Sequence, residues 1–201
     1  MTKTLVQQAK VRTNTVKDSV CKINVPAVKF ADLWDNYVTG DPYNDPTGEY
    51  ENQCAIRMSA TFHKVGIEMK SFSEKTIKPM PGKKTIGRIL LNGKATATRA
   101  QELAEWLKLQ PFCGLPKQPE NITGKDWVEK VKGRTGIIMF DGYWTRDGES
   151  SASASGGHID LWNGEKLTGF GTGLRVRWNI VIRGIWSDFR NSKTILFFPI
   201  Q

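Results

Sequence analysis

Three side chains in this sequence have the types and spacing for nucleophilic chemistry: a cysteine at a helix start, a histidine on a strand, and an aspartate two residues beyond it. Of the three cysteines, Cys21, Cys54 and Cys113, only Cys54 lies where a turn-rich stretch gives way to a helical pattern. Thr39-Gly40-Asp41-Pro42 and Asp45-Pro46-Thr47-Gly48 precede it as turn signals. Ala55, Met58, Phe62 and Val65, widened by Ile56, follow it at helical spacing as far as Gly66. A cysteine in the first turn of a helix lies among unpaired backbone N–H groups at the positive end of the helix dipole, which favours the thiolate. The same place also suits a small buried hydrophobe, the commonest state of a free cysteine. Cys21 and Cys113, in a polar arm and a Pro-rich connection, lack that setting and read equally as buried thiols or as a pair bridged to each other.

A thiolate nucleophile needs an imidazole within hydrogen-bond reach and a third polar group to orient it. His63 lies nine residues beyond Cys54 on the same predicted helix. At ~1.5 Å rise per residue it stands about 13 Å away along the axis, too far to act as the base. It reads as a surface or helix C-terminal cation. His158 follows Gly156-Gly157 and opens an alternating run that puts His158, Asp160 and Trp162 on one strand face and Ile159 and Leu161 on the other. Asp160 is the nearest acid, its Cα about 6.6 Å along the strand from ~3.3 Å per residue, a marginal distance for orienting an imidazole. Asn163 and Asp188 are the fallbacks. On its own His158 also reads as a hydrogen-bonded surface histidine. A strand histidine against the N-terminus of a cysteine helix is the arrangement of papain-like enzymes. With two histidines and no C-x-x-C pair, a structural zinc site is hard to assemble, and no metal or cofactor is expected.

The elements that must carry these residues fall into two runs. Residues 1–25 are polar with weak periodicity and read as an N-terminal arm. Residues 26–201 read as one domain, in a chain of 201 residues that is long enough to bury on the order of 70% of its unfolded surface. Phe30, Leu33, Trp34 and Tyr37 predict an amphipathic helix over 28–38. The Cys54 helix runs to about Lys64, and 67–95 is irregular and basic, a solvated loop or the lining of an anion-facing cleft, with a short strand at Ile86 to Leu91. Thr98 with Gln101 suits a capping box for a helix to about Leu109, and Thr123 caps another that Gly133 ends. Strand signals then take over: Gly136 to Phe140, Gly157 to Trp162, Val176 to Trp186 and Thr194 to Ile200. Ser150 to Gly157 is a loop, and Asn163-Gly164 is a strong hairpin turn. Helices first and a mostly antiparallel sheet afterwards make an α+β layout.

Composition narrows the partners. A hydrophobic fraction of 39% with seven Trp argues against disorder. No apolar run approaches the ~20 residues of a membrane span, so no membrane insertion is expected. The first residues lack a signal-peptide core, so no cleaved leader is expected. The net charge of +9 suits an anionic partner. Trp and Lys/Arg do not interleave into a nucleic-acid platform, which argues against a nucleic-acid binder.

Three segments together resemble the type VI secretion amidase effector 4 family: Trp34-Asp35-Asn36-Tyr37 with Gly40-Asp41-Pro42, then Asn52-Gln53-Cys54-Ala55-Ile56-Arg57-Met58-Ser59, then Gly157-His158-Ile159-Asp160-Leu161-Trp162-Asn163-Gly164. They occur in the family's order and spacing and cover roughly residues 26–201. The resemblance implies a papain-like fold related to the NlpC/P60 peptidases. It implies cleavage of peptidoglycan stem peptides at the bond between γ-D-glutamate and meso-diaminopimelate. It also implies delivery by type VI secretion machinery into the periplasm of a rival bacterium, and a cognate immunity protein. Cys54 then matches the nucleophile and His158 the base, with the oxyanion held by the Cys54 backbone N–H and the Gln53 side chain. The family's third residue is an aspartate after a Leu-Thr pair. Here Leu167-Thr168 is followed by Gly169-Phe170-Gly171-Thr172-Gly173, with no carboxylate. Asp160 is the candidate for that role. The alternative is a catalytically weakened cell-wall-binding protein that keeps the amidase fold.

Overall fold

The computed structural model describes residues 6–12, 20–50, 52–144, 156–169 and 188–201. The predicted strand Val176 to Trp186 and most of the predicted loop at Ser150 lie outside the described residues.

At the centre is a four-stranded antiparallel sheet of β5 (Glu120–Asn121), β6 (Gly136–Trp144), β7 (Gly156–Trp162) and β8 (Thr194–Pro199), in the order β5-β8-β6-β7. Each strand shows opposite residues to opposite faces, and both faces are covered. On one face Ile137, Met139, Ile159, Leu161, Leu196 and Phe198 pack with α2 (Cys54–Lys64) and α3 (Ala100–Lys108). On the other face Ile138, Phe140, Trp162, Ile195 and Phe197 pack with α4 (Trp127–Val131) and a 3-10 turn at Phe189–Asn191. This is why Ile137 to Phe140 reads as an unbroken apolar run: all four side chains are buried. Trp162 is fully buried and still satisfied, its indole Nε1 donating to the Val131 carbonyl at 2.9 Å.

The remaining elements refine the expected layout. α1 is short, Phe30–Asp35, and leaves Tyr37 beyond its end. Val6–Arg12 (β1) and Val20–Pro26 (β2) pair with each other in a two-stranded sheet, so the polar arm carries a hairpin that its weak periodicity did not show. The basic stretch contains a second hairpin, β3 (Arg88–Leu91) and β4 (Lys94–Ala97). Its turn is Asn92-Gly93 with φ of 50° and 75°, the positive-φ pair that a tight hairpin needs. The basic side chains of this stretch are exposed, while Phe72, Ile77 and Ile86 point inward, which makes it a solvated face over apolar anchors.

Helix ends follow backbone geometry more than the expected caps. α2 stops as predicted: Gly66 at φ 85° lets the Ile67 N–H reach the Phe62 carbonyl at 2.8 Å and its own N–H reach His63 at 3.2 Å. α3 is preceded by Arg99 and has no side-chain cap. Gln101, expected in a capping box, instead donates to Asp141 on β6 at 2.7 Å, and the Thr98 N–H donates to the Gly87 carbonyl. Asp126, not Thr123, precedes α4; the Thr123 hydroxyl accepts from the Ile195 N–H and donates to Asn121, stitching the loop to β8.

Candidate active site

Cys54 is the first residue of α2. Its backbone N–H donates to Asn52 Oδ1 at 3.2 Å. Two anchors hold this end of the helix against the sheet. Ser59 Oγ donates back to the Ala55 carbonyl and accepts the Ala97 N–H of β4 at 3.1 Å. Gln53 accepts the Tyr43 N–H at 3.0 Å and donates to the Tyr43 carbonyl at 2.8 Å, pinning the turn-rich loop before the helix.

Among the described strands β7 is the outermost of the sheet, with β6 on its inner side. Its start, at His158 and Ile159, meets the start of α2. There the Ile159 N–H donates to the Cys54 sulfur, and the His158 imidazole hydrogen-bonds the same atom. His158 Nε2 lies 3.4 Å from Asp160 Oδ2, so Nδ1 is the nitrogen available to the thiol. Asp160 is buried, and its other oxygen accepts the Leu161 N–H at 2.8 Å and the Thr168 hydroxyl. The His158 ring stacks on Phe189, with centroids 5.5 Å apart and planes 23° apart, and Phe140 lies behind it.

Thr168 is brought to Asp160 by the Asn163-Gly164 turn. This turn is wider than a two-residue hairpin. Asn163 N–H donates to the Lys166 carbonyl, the Asn163 side chain accepts the Glu165 and Lys166 N–H groups, and Trp162 bridges Leu167. The residue after Leu167 therefore lies alongside β7. Tyr37, just past α1, completes the cluster: its hydroxyl interacts with Thr168, and it senses the charges of Asp160, Arg57 and Cys54. Burial, aided by the nearby Asp160 carboxylate, pushes its phenol far above the ordinary value, so Tyr37 stays protonated.

The electrostatics favour a charge-separated pair. Burial alone would raise the Cys54 thiol, but the hydrogen bond and charge of His158, the Ile159 N–H and the Arg57 charge outweigh it and hold the thiol below its usual value. Burial alone would lower His158, but hydrogen bonds to Asp160 and Cys54 push it up to about 9. Each partner thus stabilises the charged form of the other.

Of the residues singled out from sequence, Cys54, His158 and Asp160 meet, and Gln53 adjoins them with its side chain engaged by Tyr43. His63 lies apart in the last turn of α2, half-buried, with Nε2 3.0 Å from the Ala95 carbonyl; burial lowers it despite that contact. Asn163 forms the turn, and Asp188 pairs with Arg190 at 2.8 Å. Cys113 is a free, half-buried thiol. Tyr37, Thr168 and Phe189 were not singled out for the site. In the sequence Tyr37 takes an apolar position of the α1 pattern, and Thr168 carries no carboxylate to mark it. Among the described residues no group of His, Cys, Asp or Glu is placed to hold a metal ion.

The profile of the type VI secretion system amidase effector protein 4 family matches residues 50–198, a span that takes in Cys54, His158, Asp160 and Thr168. The chain belongs to that family. Two amidase effector 4 structures share its fold. The type VI effector Tae4 from Enterobacter cloacae matches with a TM-score of 0.54 at 17% identity, over 86% of this chain and 96% of that one. The effector Tae4 from Salmonella typhimurium, solved in complex with the immunity Tai4 from Enterobacter cloacae, matches with a TM-score of 0.51 at 16% identity, over 86% and 98%. No curated protein matches the chain. No described helix is long and apolar enough to cross a membrane.

Proposed function

We propose that this amidase effector is a papain-like cysteine amidase of the NlpC/P60 type. In this reading residues 26–201 form one catalytic domain, with the N-terminal hairpin as its arm. It cleaves the γ-D-glutamyl–meso-diaminopimelate bond of peptidoglycan stem peptides in the periplasm of a target bacterium, after type VI delivery. The observation that carries the reading is the Cys54–His158–Asp160 cluster at the start of α2, with thiol and imidazole shifted in the directions that make an ion pair.

In the first step the Cys54 thiolate attacks the stem-peptide carbonyl, forming an S–C bond and a tetrahedral oxyanion. The Cys54 backbone N–H would stabilise the developing charge by turning from Asn52 Oδ1, and Gln53 adds a side-chain donor: its Nε2 carries two N–H bonds, of which the Tyr43 carbonyl takes one. Imidazolium then gives its proton to the leaving amine as the C–N bond breaks. Water, deprotonated by the now neutral His158, opens the thioester and regenerates the thiol. Asp160 holds Nε2 throughout and stabilises the imidazolium each time it forms. An immunity protein that protects the producing cell would be met by the +9 surface, which suits an acidic partner.

The test is digestion of purified sacculi followed by mass spectrometry of the released muropeptides. New termini at γ-D-glutamate and diaminopimelate are expected with the wild type and none with Cys54→Ala. Equal product from the alanine variant overturns the cysteine mechanism. Sacculus binding without cleavage by the wild type instead supports the wall-binding alternative.

A further inference from the structure

Arg57 is a cation that the catalytic scheme leaves unused. It lies three residues beyond Cys54 on α2, on the neighbouring turn of the same face. Long side chains on a helix lean toward its N-terminus, so the guanidinium is directed over the Cys54 turn. Its charge reaches both Cys54 and Tyr37. Its Nε is buried and has no hydrogen-bond partner. No ion pair among the described residues includes it.

That state is costly without a ligand. A buried donor left unpaired loses its water and gains nothing, and unpaired polar groups of this kind gather at functional sites. Three other described arginines have acids: Arg99 pairs with Glu102 at 2.9 Å, Arg134 with Glu120 at 2.5 Å and Arg190 with Asp188 at 2.8 Å. Arg57 lacks one beside the nucleophile, and a planar guanidinium is built to take a carboxylate in two parallel hydrogen bonds.

We infer that Arg57 is a binding residue for a free carboxylate flanking the scissile amide. The inference rests on the stem-peptide reading above, in which the γ-linked glutamate leaves its α-carboxyl free and diaminopimelate carries further carboxyls. Bound there, the carboxylate completes the guanidinium and seats the carbonyl over Cys54. The site therefore selects acidic stems and discriminates against amidated ones, since an amide leaves the guanidinium without an ionic partner.

The experiment compares three synthetic stem peptides as substrates: one with free carboxylates, one with D-isoglutamine in place of D-glutamate, and one with amidated diaminopimelate. Wild-type kcat/KM is expected to fall roughly 10- to 100-fold for one of the amidated peptides, as for loss of a charge-assisted contact, and that arm identifies the carboxylate. Arg57→Met is expected to cleave the free and amidated peptides within about twofold of each other, and Arg57→Lys to keep an intermediate preference. Using the ratio between substrates cancels the effect of the variant on Cys54 ionisation. Equal wild-type rates on all three peptides, or an undiminished preference in Arg57→Met, overturns the inference while leaving the amidase reading intact. Wild-type failure on all three overturns the amidase reading and the inference with it.

Discussion

The Thr168 hydroxyl donates to Asp160 Oδ1 across an eight-residue separation, so the carboxylate is held from behind while Oδ2 faces His158. Thr168 thereby fixes the orientation of an acid on β7. Thr168→Val keeps the shape and removes the donor. We expect kcat/KM to fall roughly tenfold, the scale of one hydrogen bond to a charged group, with little change in KM. Steady-state kinetics on a stem peptide checks it, and unchanged kcat would remove Thr168 from the site.

Asp160→Asn tests the carboxylate itself. Asp160 is the largest influence raising His158, so the variant should lower the His158 value from about 9 and move the alkaline limb of the pH profile downward. The rate should drop by about 10² or more, because the amide can present the wrong hydrogen-bond partner to Nε2. An alkaline limb in the wild-type position would show that Asp160 does not govern the imidazole.

The wild-type pH dependence follows from the two shifts. In the proposed mechanism, activity needs thiolate and imidazolium together. Cys54 loses its proton below its ordinary 9.0, and His158 keeps its proton up to about 9 against an ordinary 6.5. The profile of kcat/KM should therefore be a bell whose acid limb lies below pH 9 and whose alkaline limb lies near it, both limbs belonging to the coupled pair. For stability, a raised histidine contributes fully below about pH 6.5 and loses that contribution as pH rises through about 9. The lowered Cys54 thiol contributes the opposite slope over the same range, so urea midpoints should stay nearly level in the wild type and fall in Cys54→Ala, where the histidine shift set by Asp160 stands alone.

Glu102 offers a stability test away from the cleft. It is buried, accepts the Met80 N–H at 2.9 Å and the Gly87 N–H at 2.5 Å, and pairs with Arg99 at 2.9 Å. One side chain on α3 thereby ties down the basic stretch. Glu102→Ala leaves the buried Gly87 N–H and the part-buried Met80 N–H without their acceptor, leaves Arg99 only the Thr85 carbonyl, and should cost about 2–4 kcal/mol. Denaturant unfolding measures this, and a loss under about 1 kcal/mol would mean that the stretch is held by Phe72, Ile77 and Ile86 alone.

Much of this was legible in the sequence because local rules decided it. The α2 start and its Gly66 stop, the doubly buried run at Ile137 to Phe140, and the alternation that puts His158 and Asp160 on one face all follow from periodicity and turn chemistry. What periodicity could not supply was placement across the fold. Asn92-Gly93 carries the same dipeptide signal as Asn163-Gly164, yet it lay in a charged stretch whose composition masked the hairpin. The separation of the His158 and Asp160 Cα atoms looked marginal along the strand, but both side chains leave the same face and meet at 3.4 Å. Thr168 and Tyr37 reach the carboxylate region only through a turn register and a helix end, neither of which one residue's neighbours in sequence reveal.

His158 and Asp160 ride on one strand, whereas Cys54 rides on the helix opposite. Base and orienting acid therefore travel as a single rigid body, and the joint that can open is the seam between α2 and the start of β7. Anything that pries at that seam, whether a wedge from outside or heat, separates sulfur from imidazole before it disturbs the imidazole's alignment. The weak point is thus mechanical and lies between two elements, at the contact that joins sulfur to imidazole.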